Sequence, residues 1–304
     1  MKNALCRSRL AWWLAASVLP VLLLAPCRAP AAQSPSGGTG KQAATALNSM
    51  TVEQARALVR ERPKDPQAYL ALGGAYRRAG KLEDALSTFE KMVALDPRSS
   101  TAHTSLGAIY MDLQRSKEAE REFKKAVELN PKDGAAYLNL GNYYSSVGSR
   151  DDAMGNFRKA TEVSPSLGDA WVNLGILLNE NGRSEDAVSM YRRALQSDST
   201  NVRAINNLGN AQYALGKTNE ATELYRKALK IDSKNQEALY NLGVAFADAQ
   251  IYKQALDYWR RVMAVDSTTT AAQQAKSSIQ VLQEFLTQQK SVPPSPGGQP
   301  PAGN

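Results

Sequence analysis

Four asparagines recur along the chain at a fixed step of 34 residues, and they are the side chains best suited to bind a ligand. A carboxamide offers two hydrogen-bond donors and an acceptor oxygen. A row of such groups can bind the backbone of an extended polypeptide while making few demands on its side chains. We therefore predict a partner-binding set made of the row and two asparagines close to it: Asn139, Asn142, Asn173, Asn207, Asn210 and Asn241.

Residue types suited to catalysis or metal binding are scarce. His103 is the single histidine, and both cysteines, Cys6 and Cys27, lie near the N-terminus. The remaining chain therefore has no set of histidine and cysteine ligands for a metal cluster. Acidic pairs such as Asp151-Asp152 recur at the starts of predicted helices, where carboxylates stabilise the helix dipole. We expect no enzyme activity, no cofactor and no metal site, and we expect His103 to be a packing residue.

The charge of the chain argues against a nucleic-acid partner. The net charge is +8, from 37 basic and 29 acidic residues. Four of the basic residues lie in the first 31 positions, which contain no acid, so the remainder carries only +4. Acids and bases alternate along that remainder, as is typical of solvated helix faces, whereas nucleic-acid binders usually show a dense basic stripe.

A 34-residue pattern fills residues 66–269 in six copies, and a fixed period of this length indicates a repeat architecture. Each copy has a bulky residue, a Leu-Gly pair three residues later, an alanine twelve residues after that glycine, and an aromatic four residues further on. In the third copy these are Tyr137, Leu140, Gly141, Ala153 and Phe157. The copies span 66–99, 100–133, 134–167, 168–201, 202–235 and 236–269.

Each copy is predicted to form a helix hairpin, because its apolar positions fall into two blocks with helical spacing. A glycine within a helix costs about 1 kcal/mol relative to alanine. The glycine of each Leu-Gly pair therefore indicates close approach of the second helix. We expect Ala153 to face Gly141, with Phe157 filling the space beside them. One hairpin cannot bury both of its faces, so neighbouring copies must stack.

The pattern resembles the tetratricopeptide repeat (TPR), whose W-x2-L-G-x2-Y…A-x3-F…P signature it follows. The resemblance implies an all-α, right-handed α-solenoid of six TPR hairpins with capping helices at both ends. In TPR arrays the first helix of each unit lines a concave surface, which would place the asparagine row in a groove. The row also resembles the asparagine ladder in the TPR domain of the O-linked N-acetylglucosamine transferase, whose catalytic part this chain lacks. The same amides can instead serve neighbouring backbone, and both interpretations stay open.

The resemblance implies a non-enzymatic scaffold or adaptor that binds other proteins through extended peptide segments in its groove. Together with the N-terminal segment, it indicates a role in the cell envelope, and the layout is similar to that of bacterial TPR lipoproteins that assist pilus or secretion-channel assembly. The alternative is an accessory subunit that binds glycan or peptidoglycan, or that regulates an envelope enzyme. Capture of a chain terminus is not expected, because the groove lacks the lysines and arginines with which cochaperone TPR domains hold a carboxylate.

Residues 1–31 are typical of an export signal, with a basic start, an apolar run from Leu10 to Ala25, and small residues at positions 29–31. Three interpretations stay open: a cleaved signal peptide, a lipoprotein signal with Cys27 as the lipidated residue, and an uncleaved anchor. Pro26 departs from the small residue expected before a lipidated cysteine. The run is also shorter than the ~20 residues of a spanning helix. All three interpretations place the repeats outside the cytoplasm, in a periplasm or cell envelope, with membrane contact only through this segment.

The remaining segments flank the repeats. Residues 32–50 are rich in small and polar residues and are predicted to be a flexible spacer. A helix over residues 51–62 is expected to cap the N-terminal end of the stack, which extends over 51–290. Ala272, Ala275, Ile279, Leu282 and Leu286 form an apolar stripe over residues 270–290, which predicts a C-terminal capping helix. Residues 291–304 form a Pro/Gly-rich tail that is predicted to be disordered.

Overall fold

The computed structural model describes residue 47 and residues 49–291, and over these residues the chain forms helices and turns without a β-strand. The predicted all-α fold is confirmed. Fourteen α-helices follow one another along the described chain. They are α1 Val52–Glu61, α2 Pro66–Arg78, α3 Leu82–Leu95, α4 Ser100–Asp112, α5 Ser116–Leu129, α6 Gly134–Ser146, α7 Arg150–Val163, α8 Gly168–Glu180, α9 Ser184–Ser197, α10 Val202–Ala214, α11 Thr218–Ile231, α12 Gln236–Asp248, α13 Tyr252–Val265 and α14 Thr270–Ser291.

The described residues divide into two compact units, a first unit that ends at Ala204 and a second unit that begins at Ile205. In the first unit each helix from α1 to α9 packs against the next, and the first helices of successive repeats also touch, α2 with α4 and α4 with α6. In the second unit α11, α12, α13 and α14 pack in order, and α12 also contacts α14. Within each unit the hairpins therefore stack first helix against first helix.

An aromatic ring, and not the alanine, is the nearest neighbour of the glycine in each Leu-Gly pair. A Cβ atom on Gly141 would lie 2.6 Å from the Phe157 ring, and one on Gly243 would lie 2.3 Å from the Trp259 indole. We expected Ala153 to face Gly141, and the three atoms nearest to a Cβ there all belong to the Phe157 ring. The ring lies on the backbone of the first helix, and only a residue without a Cβ permits this approach. Ala153 is fully buried, at 0% exposure.

The turn inside each hairpin needs a residue with positive φ. Gly148 takes φ 81° in the third repeat, in the left-handed region that glycine adopts readily. In the second repeat a non-glycine residue, Gln114, takes φ 59° at the equivalent position. Repeats with glycine and with glutamine at this position therefore share the positive φ of the turn. The packing of the two helices of the hairpin imposes this backbone geometry.

A hydrogen bond joins the bulky residue that opens a repeat to the proline that closes the segment before it. Tyr69 OH donates to the carbonyl oxygen of Pro63 at 3.0 Å, and Trp171 Nε1 donates to that of Pro165 at 2.8 Å. The bulky residues Ile205 and Leu239, which follow serines instead of prolines, have no side-chain donor. The aromatic residues at this position thus have a polar role in the turn between repeats as well as a packing role.

A carboxylate connects the second and third repeats. Glu120 on α5 accepts hydrogen bonds from Lys124 Nζ at 2.7 Å, from Tyr143 OH at 3.0 Å and from Tyr144 OH at 3.3 Å. These donors, with Lys124 contributing most, hold the pKa of Glu120 below its usual value. The ionised form of Glu120 therefore stabilises the contact between α5 and α6.

Replacing Glu120→Gln is expected to lower the free energy of unfolding at pH 7 by about 1 kcal/mol, because the charge-assisted hydrogen bonds are lost. A carboxyl group with a lowered folded pKa contributes stability above its unfolded pKa, about 4.3 for glutamate, and loses it as the pH falls through the folded pKa. The difference between wild type and variant should therefore shrink below about pH 4.3, as measured by urea titrations.

The matched control is Glu128→Gln on the same helix, whose carboxylate pairs with Lys125 at 3.5 Å while both side chains are at least half exposed. Its effect should stay below about 0.5 kcal/mol at both pH values. A Glu120→Gln difference of equal size at neutral and acidic pH would show that the charge of Glu120 contributes nothing.

The helices at the two ends of the described chain cover the outer repeats. Helix α1 packs on α2 and begins with a capping box formed by Thr51 and Gln54. Leu47 and Met50, which lie within the predicted spacer, pack against the core and are partly buried. At the C-terminal end α14 packs on α13 and α12.

The apolar stripe of α14 is only partly as expected. Its buried residues are Ala272, Ala275, Ser278 and Leu282. Ile279 and Leu286, which we expected in the stripe, are half-buried. Ser278 can lie between α14 and α12 because its hydroxyl is within hydrogen-bond distance, 3.3 Å, of the Tyr240 hydroxyl on α12.

Several predictions concern residues outside the described part of the chain. These are the export signal at 1–31 with Cys27, the spacer up to residue 46, and the tail beyond residue 291. In the part that the structure describes, none of the helices combines the length and the apolar character needed to cross a membrane.

Candidate partner-binding surface

In the first unit the predicted asparagines lie half-buried on the first helices α6 and α8. Asn139 Nδ2 donates to the carbonyl oxygen of Ala135 at 2.8 Å, within its own helix. Asn173 Nδ2 donates to Asn142 Oδ1 at 2.7 Å and so connects α8 to α6. Asn173 Oδ1 in turn accepts from the Arg203 guanidinium at 2.7 Å. Asn173 therefore has structural partners on both sides.

In the second unit the asparagines of α10 and α12 make the same kind of contact. Asn241 Nδ2 donates to Asn210 Oδ1 at 2.8 Å, and the Tyr225 hydroxyl donates to the same oxygen at 2.9 Å. Burial raises the pKa of Tyr225, so its hydroxyl remains protonated and able to donate. Asn210 Nδ2 lies 3.3 Å from Glu237 Oε1, and Asn207 is half-buried on the same helix.

The pairs Asn142–Asn173 and Asn210–Asn241 connect the same two repeat positions, once in each unit. The predicted row is therefore made partly of amides that bond to each other. An amide has more hydrogen-bonding capacity than one such contact uses. The bonds described above engage Asn139 Nδ2, Asn142 Oδ1 and Asn241 Nδ2. Partner binding by these residues stays a prediction.

Charged residues on the first helices also form contacts between repeats. Arg77 on α2 forms an ion pair and hydrogen bonds with Asp112 on α4. In the second unit a hydrogen bond, not an ion pair, occupies the same place, and in it the Tyr213 hydroxyl of α10 donates to Asp248 of α12. Each contact joins the C-terminal ends of consecutive first helices. These groups therefore stabilise the stacking of repeats.

A buried ionisable pair in the second repeat is the polar feature that the sequence analysis missed. His103 Nδ1 lies 2.7 Å from Glu122 Oε2, and His103 Nε2 lies 3.1 Å from the carbonyl oxygen of Pro97. The side chains of His103 and Glu122 are both 10% exposed. The structure thus adds polar contacts to the packing role predicted for His103. The signal was available, because the second repeat is the only one with ionisable residues at both of these positions.

The described residues contain no group of three or more histidine, cysteine, aspartate or glutamate side chains arranged to hold a metal ion. The side chains brought together on the first helices are amides, hydroxyls and paired charges. Such groups can bind a polypeptide by hydrogen bonds.

A comparison with protein-family models identifies the type of repeat. The model described as the cilia and flagella-associated protein 70 C-terminal domain, a TPR domain, matches residues 27–275. The chain belongs to this TPR family. The match includes the six repeats and α1, so the predicted TPR architecture is confirmed. No curated protein sequence shows significant similarity to this TPR protein.

Solved TPR structures share the fold at low sequence identity. A chain of the APC/C hetero-tetramer Cut9-Hcn1 matches with a TM-score of 0.65 at 17% identity. The match covers 75% of the present protein but only 44% of the Cut9-Hcn1 chain. PilF of Pseudomonas aeruginosa has a TM-score of 0.61 at 18% identity, covering 70% of this chain and 97% of PilF. YrrB, described as a TPR protein with an unusual peptide-binding site, has a TM-score of 0.50 at 22% identity, covering 62% of this chain and 97% of YrrB.

These similarities show an all-α TPR solenoid. TPR proteins are generally non-enzymatic and act by binding other proteins, because a stack of helix pairs presents an extended surface instead of an enclosed active site. The class of function predicted from the sequence, a protein–protein interaction scaffold, agrees with this family.

Proposed function

We propose that this TPR protein is an adaptor that binds an extended segment of a partner protein along its first helices. The supporting observation is that the described bonds use one amide group each of the half-buried Asn139 and Asn142, whereas an amide side chain can make more than one such bond. Asn139 Oδ1 and Asn142 Nδ2 offer an acceptor and a donor on one helix, α6. Extended backbone needs one acceptor for each N–H and one donor for each C=O. Adjacent amide groups meet both needs without selecting for side-chain type.

Structural amides are also well placed to bind, because their own contacts hold them in position. Asn173 donates to Asn142 and accepts from Arg203, and these two bonds restrict the rotation of its side chain before a ligand arrives. Binding then costs less side-chain entropy than it would for a free surface residue. A TPR fold is compatible with this mode, since a peptide-binding site is described for YrrB.

Removal of the amides should weaken binding while the fold remains. The test uses peptides selected from a random displayed library on the intact TPR protein, with affinities measured by calorimetry. Asn139→Ala combined with Asn142→Ala is expected to reduce affinity at least tenfold, which corresponds to about 1.4 kcal/mol. The loss should be similar for peptides of different side-chain sequence, since backbone groups are being recognised.

The matched control is Asn156→Ala on the second helix α7. Asn156 Nδ2 donates to the carbonyl oxygen of Asp152 at 2.8 Å, four residues earlier, as Asn139 does to Ala135. This variant loses an equivalent intrahelical bond away from the first helices, so peptide affinity should stay within about twofold, less than 0.5 kcal/mol. Equal losses in the control and the double variant would refute binding along the first helices.

We further propose that the protein acts outside the cytoplasm, in the cell envelope. The support is the N-terminal sequence, with its basic start, apolar run and small residues before the repeats. Mass spectrometry of the protein isolated from its native cells tests this proposal. A mature chain that begins after the apolar run, or one that carries lipid on Cys27, would support export. An intact N-terminus together with recovery in the cytosolic fraction would contradict it.

A further inference from the structure

A cleft of about 270 Å³ opens beside α8 in the first unit, between the second helices α7 and α9. Trp171, Leu174 and Leu178 of α8 form its apolar wall, and Met190 of α9 faces them. These three α8 residues are three and four positions apart and so share one face of the helix. Asn173 lies on a different face of α8, so the cleft is separate from the asparagine surface.

The cleft lies where four of the other five repeats have an aromatic ring and the fifth repeat has Gln212. The residue three positions after the glycine of the Leu-Gly pair is Tyr110 in the second repeat, Phe246 in the sixth and Leu178 in the fourth. A second small residue enlarges the gap. Thr161, which lines the cleft, stands where neighbouring repeats have valine or leucine, and its hydroxyl bonds to its own helix at 2.8 Å. The empty volume therefore follows from two local departures from the repeat.

The groups that surround such a ring elsewhere in the chain are present around the cleft. In the second repeat the Arg115 guanidinium lies 4.7 Å from the centre of the Tyr110 ring and pairs with Glu118 at 2.8 Å. The fourth repeat has Arg183 at the equivalent position, and it pairs with Asp186 at 2.6 Å. Arg183 lines the cleft. The ion pair with Asp186 fixes Arg183 as the ion pair with Glu118 fixes Arg115. The fourth repeat has Leu178 where the second repeat has the Tyr110 ring.

The sixth repeat supplies a second comparison. Its Phe246 ring stacks on Tyr258 with centroids 5.4 Å apart and planes 5° apart, and the Arg226 guanidinium lies 5.9 Å from the Phe246 centroid. The equivalent residues of the cleft are Met190 for Tyr258 and Arg158 for Arg226. A methionine sulfur also makes favourable contacts with aromatic rings. The cleft thus combines two arginines, a thioether and an apolar wall around the space of one ring.

We infer that this cleft binds an aromatic side chain of a partner protein. The inserted ring would lie against Leu178 and Met190, with the guanidinium groups of Arg158 and Arg183 over it. Cation–π attraction favours this arrangement, and a ring in an apolar pocket is a common anchor of protein interfaces. The site takes phenylalanine or tyrosine in preference to leucine, because an aliphatic side chain forgoes the attraction to both arginines.

The test titrates the TPR protein with a blocked pentapeptide, acetyl-Ser-Gly-Phe-Gly-Ser-amide, and observes the Trp171 indole N–H and the Met190 methyl group by NMR. Saturable shifts of both signals are expected, with a dissociation constant at least tenfold lower than that of the same peptide with leucine in place of phenylalanine. Arg158→Ala and Arg183→Ala should each weaken the aromatic peptide several-fold without changing the affinity of the leucine peptide.

The variant Leu178→Phe would fill the cleft with an aromatic ring of the protein itself, in place of the ring of the partner. This variant is expected to lose at least tenfold in peptide affinity and to raise Tm by about 2–4 °C as the cleft is filled. Ser189→Ala, an exposed change beside Met190, is the control and should leave both quantities unchanged. A lower Tm for Leu178→Phe, unchanged peptide binding by it, or equal affinity for the leucine peptide would each overturn the inference. Tighter binding of N-acetylglucosamine at the same signals would overturn it in favour of a sugar site.

Discussion

Gly141→Leu is expected to lower the free energy of unfolding by about 3 kcal/mol or more. The Cβ atom alone would lie 2.6 Å from the Phe157 ring, and the rest of the side chain would have to enter a space that the ring occupies. Phe157 is 2% exposed, so it cannot move without disturbing the core of the hairpin. Because neighbouring repeats stabilise each other, the loss should spread beyond the third repeat. Urea titration followed by circular dichroism measures it.

The same repeat contains a matched control for Gly141→Leu. Gly155 also lies within a helix, but a Cβ atom there would have no neighbour within 4 Å. Gly155→Ala should therefore raise the free energy of unfolding by about 0.5–1 kcal/mol through helix propensity alone. Two substitutions of glycine in one hairpin thus have opposite expected signs. If Gly141→Leu unfolds at the same urea concentration as wild type, the register of the two helices is wrong.

Glu122→Ala is expected to cost about 3 kcal/mol, because it removes one member of a buried pair. The carbonyl oxygen of Pro97 can only accept, so His103 Nε2 must carry a proton. His103 Nδ1 lies 2.7 Å from Glu122 Oε2. The alanine variant leaves this buried nitrogen without its carboxyl partner. Urea titration of variant and wild type at the same pH gives the difference.

Glu118→Ala on the same helix is the control, since the partner of Glu118, Arg115, is exposed and such pairs contribute at most about 1 kcal/mol. A second comparison replaces both members of the buried pair by their equivalents in the third repeat, as His103→Tyr with Glu122→Asn. This double variant should recover most of the stability lost in Glu122→Ala, because it leaves no ionisable group unpaired in the core. Equal costs for Glu122→Ala and Glu118→Ala would show that burial of the pair has no energetic consequence.

The repeat architecture could be predicted because six copies of one pattern constrain it independently. A leucine or glycine at one position is weak evidence alone, but its recurrence every 34 residues determines the helix hairpins and their sequence register. The capping helix α1 was predictable on the same basis, since its apolar spacing matches a second helix. The stripe of α14 was predicted less well, because a single helix without repeated copies gives no way to distinguish buried Ser278 from half-buried Ile279.

Contacts between different repeats were decided by the tertiary structure. The sequence by itself determined which residues occupy each repeat position, including the asparagine row and the missing ring at Leu178. Which side chains meet across a stack depends on how each helix is rotated and where it crosses its neighbour, and these angles are set by the packing of all core residues together. For that reason only the structure showed that the Phe157 ring covers Gly141 and that Asn173 bonds to Asn142.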